Sequence, residues 1–238
     1  MRSRVTLGAC ICDNVRVQRV LPQLVVIARS LMSAATFRDV QAIAPATFNV
    51  VRGTSSWVTS EILCNFLGVI EEAIRPFPLV PVLLLDTHGS HTTPEVMARA
   101  RELGILLLYV PAGMTFLAQP LDTHVFAAFK RALRVRAQAA RTRNPAGTLG
   151  VRDWAAALFE AAQSTITGRR WARAFSAVGC RDATARLTSQ LRARLGVATA
   201  ADVAGDVAMP TLEDITSLWP QGRQVPYEEL LGHAMVFD

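Results

Sequence analysis

With 238 residues, 51% of them hydrophobic and 18% charged, the chain can bury a substantial core, which excludes a disordered protein. Its four cysteines (Cys10, Cys12, Cys64 and Cys180) are too few and too scattered for a disulfide scaffold. No second pair joins Cys10 and Cys12 in a tetrahedral zinc site, so buried thiols in a reducing compartment are expected. The net charge of +6 is uneven, with fourteen basic against three acidic residues from Phe126 to Arg194, and one against seven from Leu195 to Asp238. A positive middle section suits a phosphate backbone. However, 24 of the 25 basic residues are arginine, a bias that a GC-rich genome explains equally well.

In chain order, Arg4–Cys12 and Leu24–Ala28 are rich in valine, isoleucine and leucine and predict strands. Met32–Ser56 is poorly periodic and predicts a loop with a short strand near Asn49–Arg52. A helix is predicted from Thr59 or Ser60, with Leu63, Phe66, Leu67, Ile70 and Ile74 on one face and Arg75-Pro76-Phe77-Pro78 ending it. Val80–Leu85 is a continuous apolar run closing on Asp86, the pattern of a strand buried on both faces. Thr93-Pro94-Glu95 starts a helix that Gly104 ends, and Ile105–Val110 predicts another buried strand.

Pro111–Pro120 predicts a loop and Leu121–Gln138 a helix. Leu103–Leu121 carries no charge, but Pro111, Gly113, Gln119 and Pro120 interrupt it, so a strand and loop are expected rather than a bilayer span. Beyond the turn-rich link Arg141–Gly150, helices are predicted at Trp154–Ser164, Trp171–Val178 and Asp182–Leu195, followed by an acidic tail with Pro210, Pro220 and Pro226. The expected fold class is α/β, a mixed sheet flanked by helices with a C-terminal helical extension and an acidic, loosely structured tail. The expected division is a core over 1–140, the extension over 141–196 and the tail over 197–238.

The chemistry concentrates in Leu83-Leu84-Leu85-Asp86-Thr87-His88-Gly89-Ser90-His91. A carboxylate at the carboxyl end of a buried strand is where α/β sheets place working groups, although such an aspartate also serves to cap the next turn. Asp122, at the start of the helix after Pro120, is favoured there by the helix dipole alone. Together, Asp86 and Asp122 put two carboxylates on neighbouring elements, a donor set for hard divalent cations. An unrelated α/β hydrolase using Asp86 with His91 is a further reading, but no Gly-X-Ser-X-Gly elbow or phosphate-binding loop supports it.

The run from Leu83 through Asp86, Ser90-His91, the apolar strand, Gln119-Pro120-Leu121-Asp122 and Phe129-Lys130 resembles the DDE superfamily endonuclease domain of pogo- and Tc1-like transposases. Two motifs stand at that family's spacing, with 35 residues between the aspartates, and the likeness extends from about Arg4 to Gly179. The resemblance implies an RNase H-like fold and a DNA partner reached without a small-molecule cofactor. It also implies two magnesium or manganese ions for phosphodiester hydrolysis and strand transfer, assembly into a homo-oligomer, and nuclear residence. It assigns Asp86 and Asp122 as catalytic metal ligands. His88 and His91 either line the site or steady the turn, a structural role being expected over metal ligation because the expected ligands are oxygen donors. Lys130, Arg131, Arg134 and Arg136 are candidate contacts to DNA phosphates. A solvated helix face accounts for those four cations as well.

The family's first aspartate lies on a strand ahead of the one expected at Arg4–Cys12, and only Met1-Arg2-Ser3 precede that strand here. Asp13 follows the strand at a turn and is not a substitute. The expectation is therefore of two carboxylates from a set of three. The alternative is a domesticated, catalytically inactive remnant that binds DNA or assembles with other proteins.

Overall fold

The computed structural model describes residues 5–110, 113, 115–180 and 234–237. Its first strand run is broken once, into β1 (Val5–Gly8) and β2 (Cys10–Cys12), and the two halves enter different sheets. β1 pairs antiparallel with β3 (Gln23–Ala28), which pairs in parallel with β4 (Phe48–Gly53). β2 pairs antiparallel with β7 (Ala234–Phe237). That strand runs parallel to β5 (Val82–Asp86), which in turn pairs in parallel with β6 (Leu106–Val110).

At the break, a side chain continues the ladder. The Gln23 amide accepts from the Cys10 N–H and donates to the Cys10 carbonyl, both at 2.9 Å, and it is fully buried. A carboxamide presents a donor and an acceptor in one plane, as a peptide unit does. Gln18, in the short helix α1 (Val15–Gln18), accepts from the Cys12 N–H at 2.5 Å and donates to the Ile166 carbonyl at 3.3 Å. Each strand edge thus keeps its backbone groups satisfied where the regular pairing stops.

The period of two along the strands separates two cores. Ile11, Val25, Ile27, Val50 and Leu84 face one; Cys10, Cys12, Leu24, Val26, Leu83 and Leu85 face the other. Against the second pack α3 (Ser60–Ile74), through Leu63, Phe66, Leu67 and Ile70, and α4 (Pro94–Glu102), through Val96 and Ala100. Thr59 caps α3 by accepting from the Ile62 N–H, and Thr93 caps α4 ahead of Pro94. Gly104, at φ +68°, turns the chain out of α4 into β6.

The other face is covered by α2 (Ala34–Ile43), α6 (Phe126–Arg143), α7 (Val151–Ala162) and α8 (Ala172–Ala177). A π-helical turn at Leu121–Val125 leads directly into α6, after the short α5 (Thr115–Ala118). Helices therefore cover both faces of a layer made of two small mixed sheets, the expected α/β class.

Five details differ from expectation, the first being the helical turn of α5, Thr115–Ala118, inside the predicted loop Pro111–Pro120. Helix α2 lies where a loop was predicted; its apolar face is a short one, Phe37, Val40 and Ile43 at three-residue steps, of which only Val40 is fully buried. Strand β6 is not buried throughout: it forms the edge of its sheet among the described residues, and Leu108 is 54% exposed. Helix α7, expected in an extension, shares the core of β3 and β4, with the Phe159 ring edge-on to Phe48 at 5.1 Å and 68°. Residues 234–237, expected as tail, form β7 between β2 and β5. The predicted helix at Asp182–Leu195 and the remainder of the tail lie outside the described residues. No helix among the described residues is long and apolar enough to cross a membrane.

Candidate active site

Leu83 and Leu85 anchor β5 on one face and Leu84 on the other, so the strand ends with Asp86 at its carboxyl edge. The Asp86 side chain keeps a quarter of its surface, 25%, open to solvent. Its Oδ1 accepts the His88 N–H at 3.1 Å and lies 2.5 Å from His91 Nδ1, while Oδ2 takes no hydrogen bond from the described residues. The His91 side chain is buried, at 6% exposure.

The turn that carries these histidines is pinned from three sides. The His91 N–H closes onto the His88 carbonyl at 2.8 Å, the Tyr109 hydroxyl of β6 donates to the His91 carbonyl at 3.0 Å, and Ser60 of α3 donates to the Ser90 carbonyl at 3.2 Å. His88 pairs through Nδ1 with the Ser90 hydroxyl at 2.9 Å and lies parallel to the Trp57 ring, centroids 6.3 Å apart and planes 9° apart. Its own ring is 5.4 Å from that of His91. Trp57, Ser60 and Tyr109 were not singled out as site residues in the sequence, because only the fold brings the start of α3 and strand β6 onto this turn.

Burial works against ionisation of Asp86, but the hydrogen bonds from His91 and the His88 N–H, with the charge of both imidazoles, outweigh it and hold the carboxyl below its usual range. A depressed carboxyl stabilises the folded state above the unfolded pKa of about 3.9. That contribution disappears as pH falls through the lower folded value. Replacing His91 by alanine removes the largest opposing contact and leaves burial, so the Asp86 pKa rises. A carboxyl-carbon NMR titration checks this, and an unchanged midpoint would show that His91 does not hold the charge.

Asp122 lies in the π-helical turn and is exposed, one residue after Leu121, which is fully buried in the same hydrophobic cluster as Leu84 and Val110. β5 and β6 end together, Asp86 opposite Val110, and the chain returns from β6 through α5 to Asp122. Among the described residues, no group of three or more His, Cys, Asp or Glu side chains gathers around a point that could hold a metal ion. Lys130, Arg131 and Arg134 are exposed on α6, with the Lys130 ammonium 5.7 Å from the Phe126 ring centre. Arg136 is engaged within the fold, donating to the Ser164 hydroxyl at 3.0 Å and pairing with Glu160 at 3.5 Å.

Neither a curated protein nor a solved structure matches the chain. The profile of the DDE superfamily endonuclease family matches residues 3–162, a span that runs from β1 through α7 and includes Asp86, the histidine turn and Asp122. The chain thus belongs to the DDE superfamily endonucleases, the transposase-like nucleases.

Proposed function

We propose that this chain is the catalytic core of a transposase that cuts DNA phosphodiesters with divalent metal ions. The observation that carries the reading is the Asp86 carboxylate at the carboxyl end of β5, held ionised and oriented by the His91 ring and the His88 N–H. These contacts occupy Oδ1 and leave Oδ2 for a cation, and carboxylate oxygens are the donors that magnesium and manganese prefer. Asp122, exposed on the turn that follows β6, is the second ligand in this reading.

When bound, the ions supply Lewis acidity and an activated water or 3′-hydroxyl for in-line attack. The protein's residues fix the carboxylates, with His91 positioning Asp86 and Tyr109 holding the His91 backbone. Exposed Lys130, Arg131 and Arg134 supply phosphate contacts that weaken as salt rises.

A second reading is a nucleic-acid-binding or assembly module without cleavage, favoured by the lack of a three-residue metal cluster among the described residues. Calorimetric titration of manganese into the full chain tests the site. Asp86→Asn and Asp122→Asn should each weaken binding roughly tenfold or more, since carboxylate charge sets affinity for hard cations. If only Asp86→Asn has an effect, Asp122 is not a ligand. If neither does, the metal reading fails.

A further inference from the structure

Beside the turn that carries His88 lies a cavity of about 290 Å³, walled by Arg29, Asn49, Arg52, Trp57, Glu61 and Asn65 among others. Its size is at the lower end of small-ligand pockets, roughly 300–1,000 Å³, which suits one nucleotide rather than a duplex. The rim is cationic, two guanidinium groups against the single carboxylate of Glu61. Arg52 is fixed in place, its Nη2 donating to the Met32 carbonyl at 2.7 Å and the Arg29 carbonyl at 3.3 Å, while its buried Nε–H has no hydrogen-bond partner among the described residues. Trp57 is 57% exposed, the most open aromatic ring among the exposed large hydrophobic residues.

Trp57 also links this cavity to the Asp86 site. It lines the cavity and lies parallel to His88, whose N–H binds Asp86. An exposed indole beside arginines is the combination that receives unpaired bases: the ring stacks on any base, and the cations follow the phosphates. The Asn49 and Asn65 amides add donors and acceptors for a base edge.

We infer that this cavity holds one unpaired DNA nucleotide next to the phosphodiester being cut, with its base stacked on Trp57. The inference rests on the DNA-cutting reading and adds to it a preference for a frayed or single-stranded end. The indole is largely exposed, so its removal should leave the fold intact.

The test compares binding of the full chain, in EDTA, to a blunt duplex and to the same duplex carrying a short overhang that contains 2-aminopurine. The wild type should bind the overhang more tightly and quench its fluorescence. Trp57→Ala should lower overhang affinity about tenfold, the scale of losing one base–aromatic stack, and so remove the preference for the overhang over the blunt duplex. Trp57→Phe should restore most of the difference. If Trp57→Ala changes neither affinity nor fluorescence, or weakens both duplexes equally, the nucleotide site is overturned and the DNA reading stands. If the wild type binds neither duplex, the DNA reading falls and this inference falls with it.

Discussion

Asp86→Asn should lower metal-dependent DNA cleavage by about 10²–10⁴-fold while leaving the protein folded, since a metal's electrostatic contribution is several kcal/mol and each 1.36 kcal/mol is tenfold in rate. The substitution is nearly isosteric. The amide oxygen still accepts from the His88 N–H, and the side chain still fits beside His91, so the turn should persist. What disappears is the negative charge that a hard cation needs. Nicking rates at saturating manganese, with circular dichroism to confirm folding, separate the two effects. A folded Asp86→Asn protein that cuts at the wild-type rate would remove Asp86 from the active site.

The second large effect concerns stability. Phe159 is 3% exposed on α7, with its ring edge-on to Phe48 of β4. Around it, Ala155, Leu158 and Ala162 belong to the same cluster as Val25, Ile27 and Val50. Phe159→Ala should cost about 3–5 kcal/mol, the usual range for emptying a phenylalanine site in a packed core. Equilibrium unfolding in urea measures it. A loss below about 1 kcal/mol would mean that α7 does not close the core of the sheet, because even partial collapse around the void leaves more than that.

Much of the frame could be read from residue patterns. The caps Thr59 and Thr93, Pro94 and the apolar spacing of α3 determined two helices closely, and the Val-Leu-Leu-Leu-Asp run marked β5 and its terminal carboxylate. What escaped detection depends on distant partners. α2 has a cap in Ser33 and a short apolar face of Phe37, Val40 and Ile43, but it buries only Val40 fully and packs against α7, a partner more than a hundred residues away. The change of sheet at Ala9 rests on Gln23, thirteen residues from Cys10, and a glutamine in a strand does not announce that it will replace a peptide unit. β7 is four residues long in a proline-containing acidic segment, too short a run to show its period.

The site divides in the same way. Asp86 was visible because a strand explains where it points. The roles of His91, Tyr109 and Trp57 depend on the shape of one turn and on residues up to 31 positions away, for which the sequence contains no periodic signal. Arg136 looked like the cations beside it, and only the packing of α6 against α7 shows that Glu160 and Ser164 engage it.

The most direct measurement is incubation of the purified full chain with supercoiled plasmid in manganese, with a parallel sample in EDTA, followed on a gel. The account predicts open-circular product that appears with manganese and is absent with EDTA. Plasmid left supercoiled by folded protein in manganese, or nicked equally in EDTA, would contradict metal-dependent cleavage by this chain.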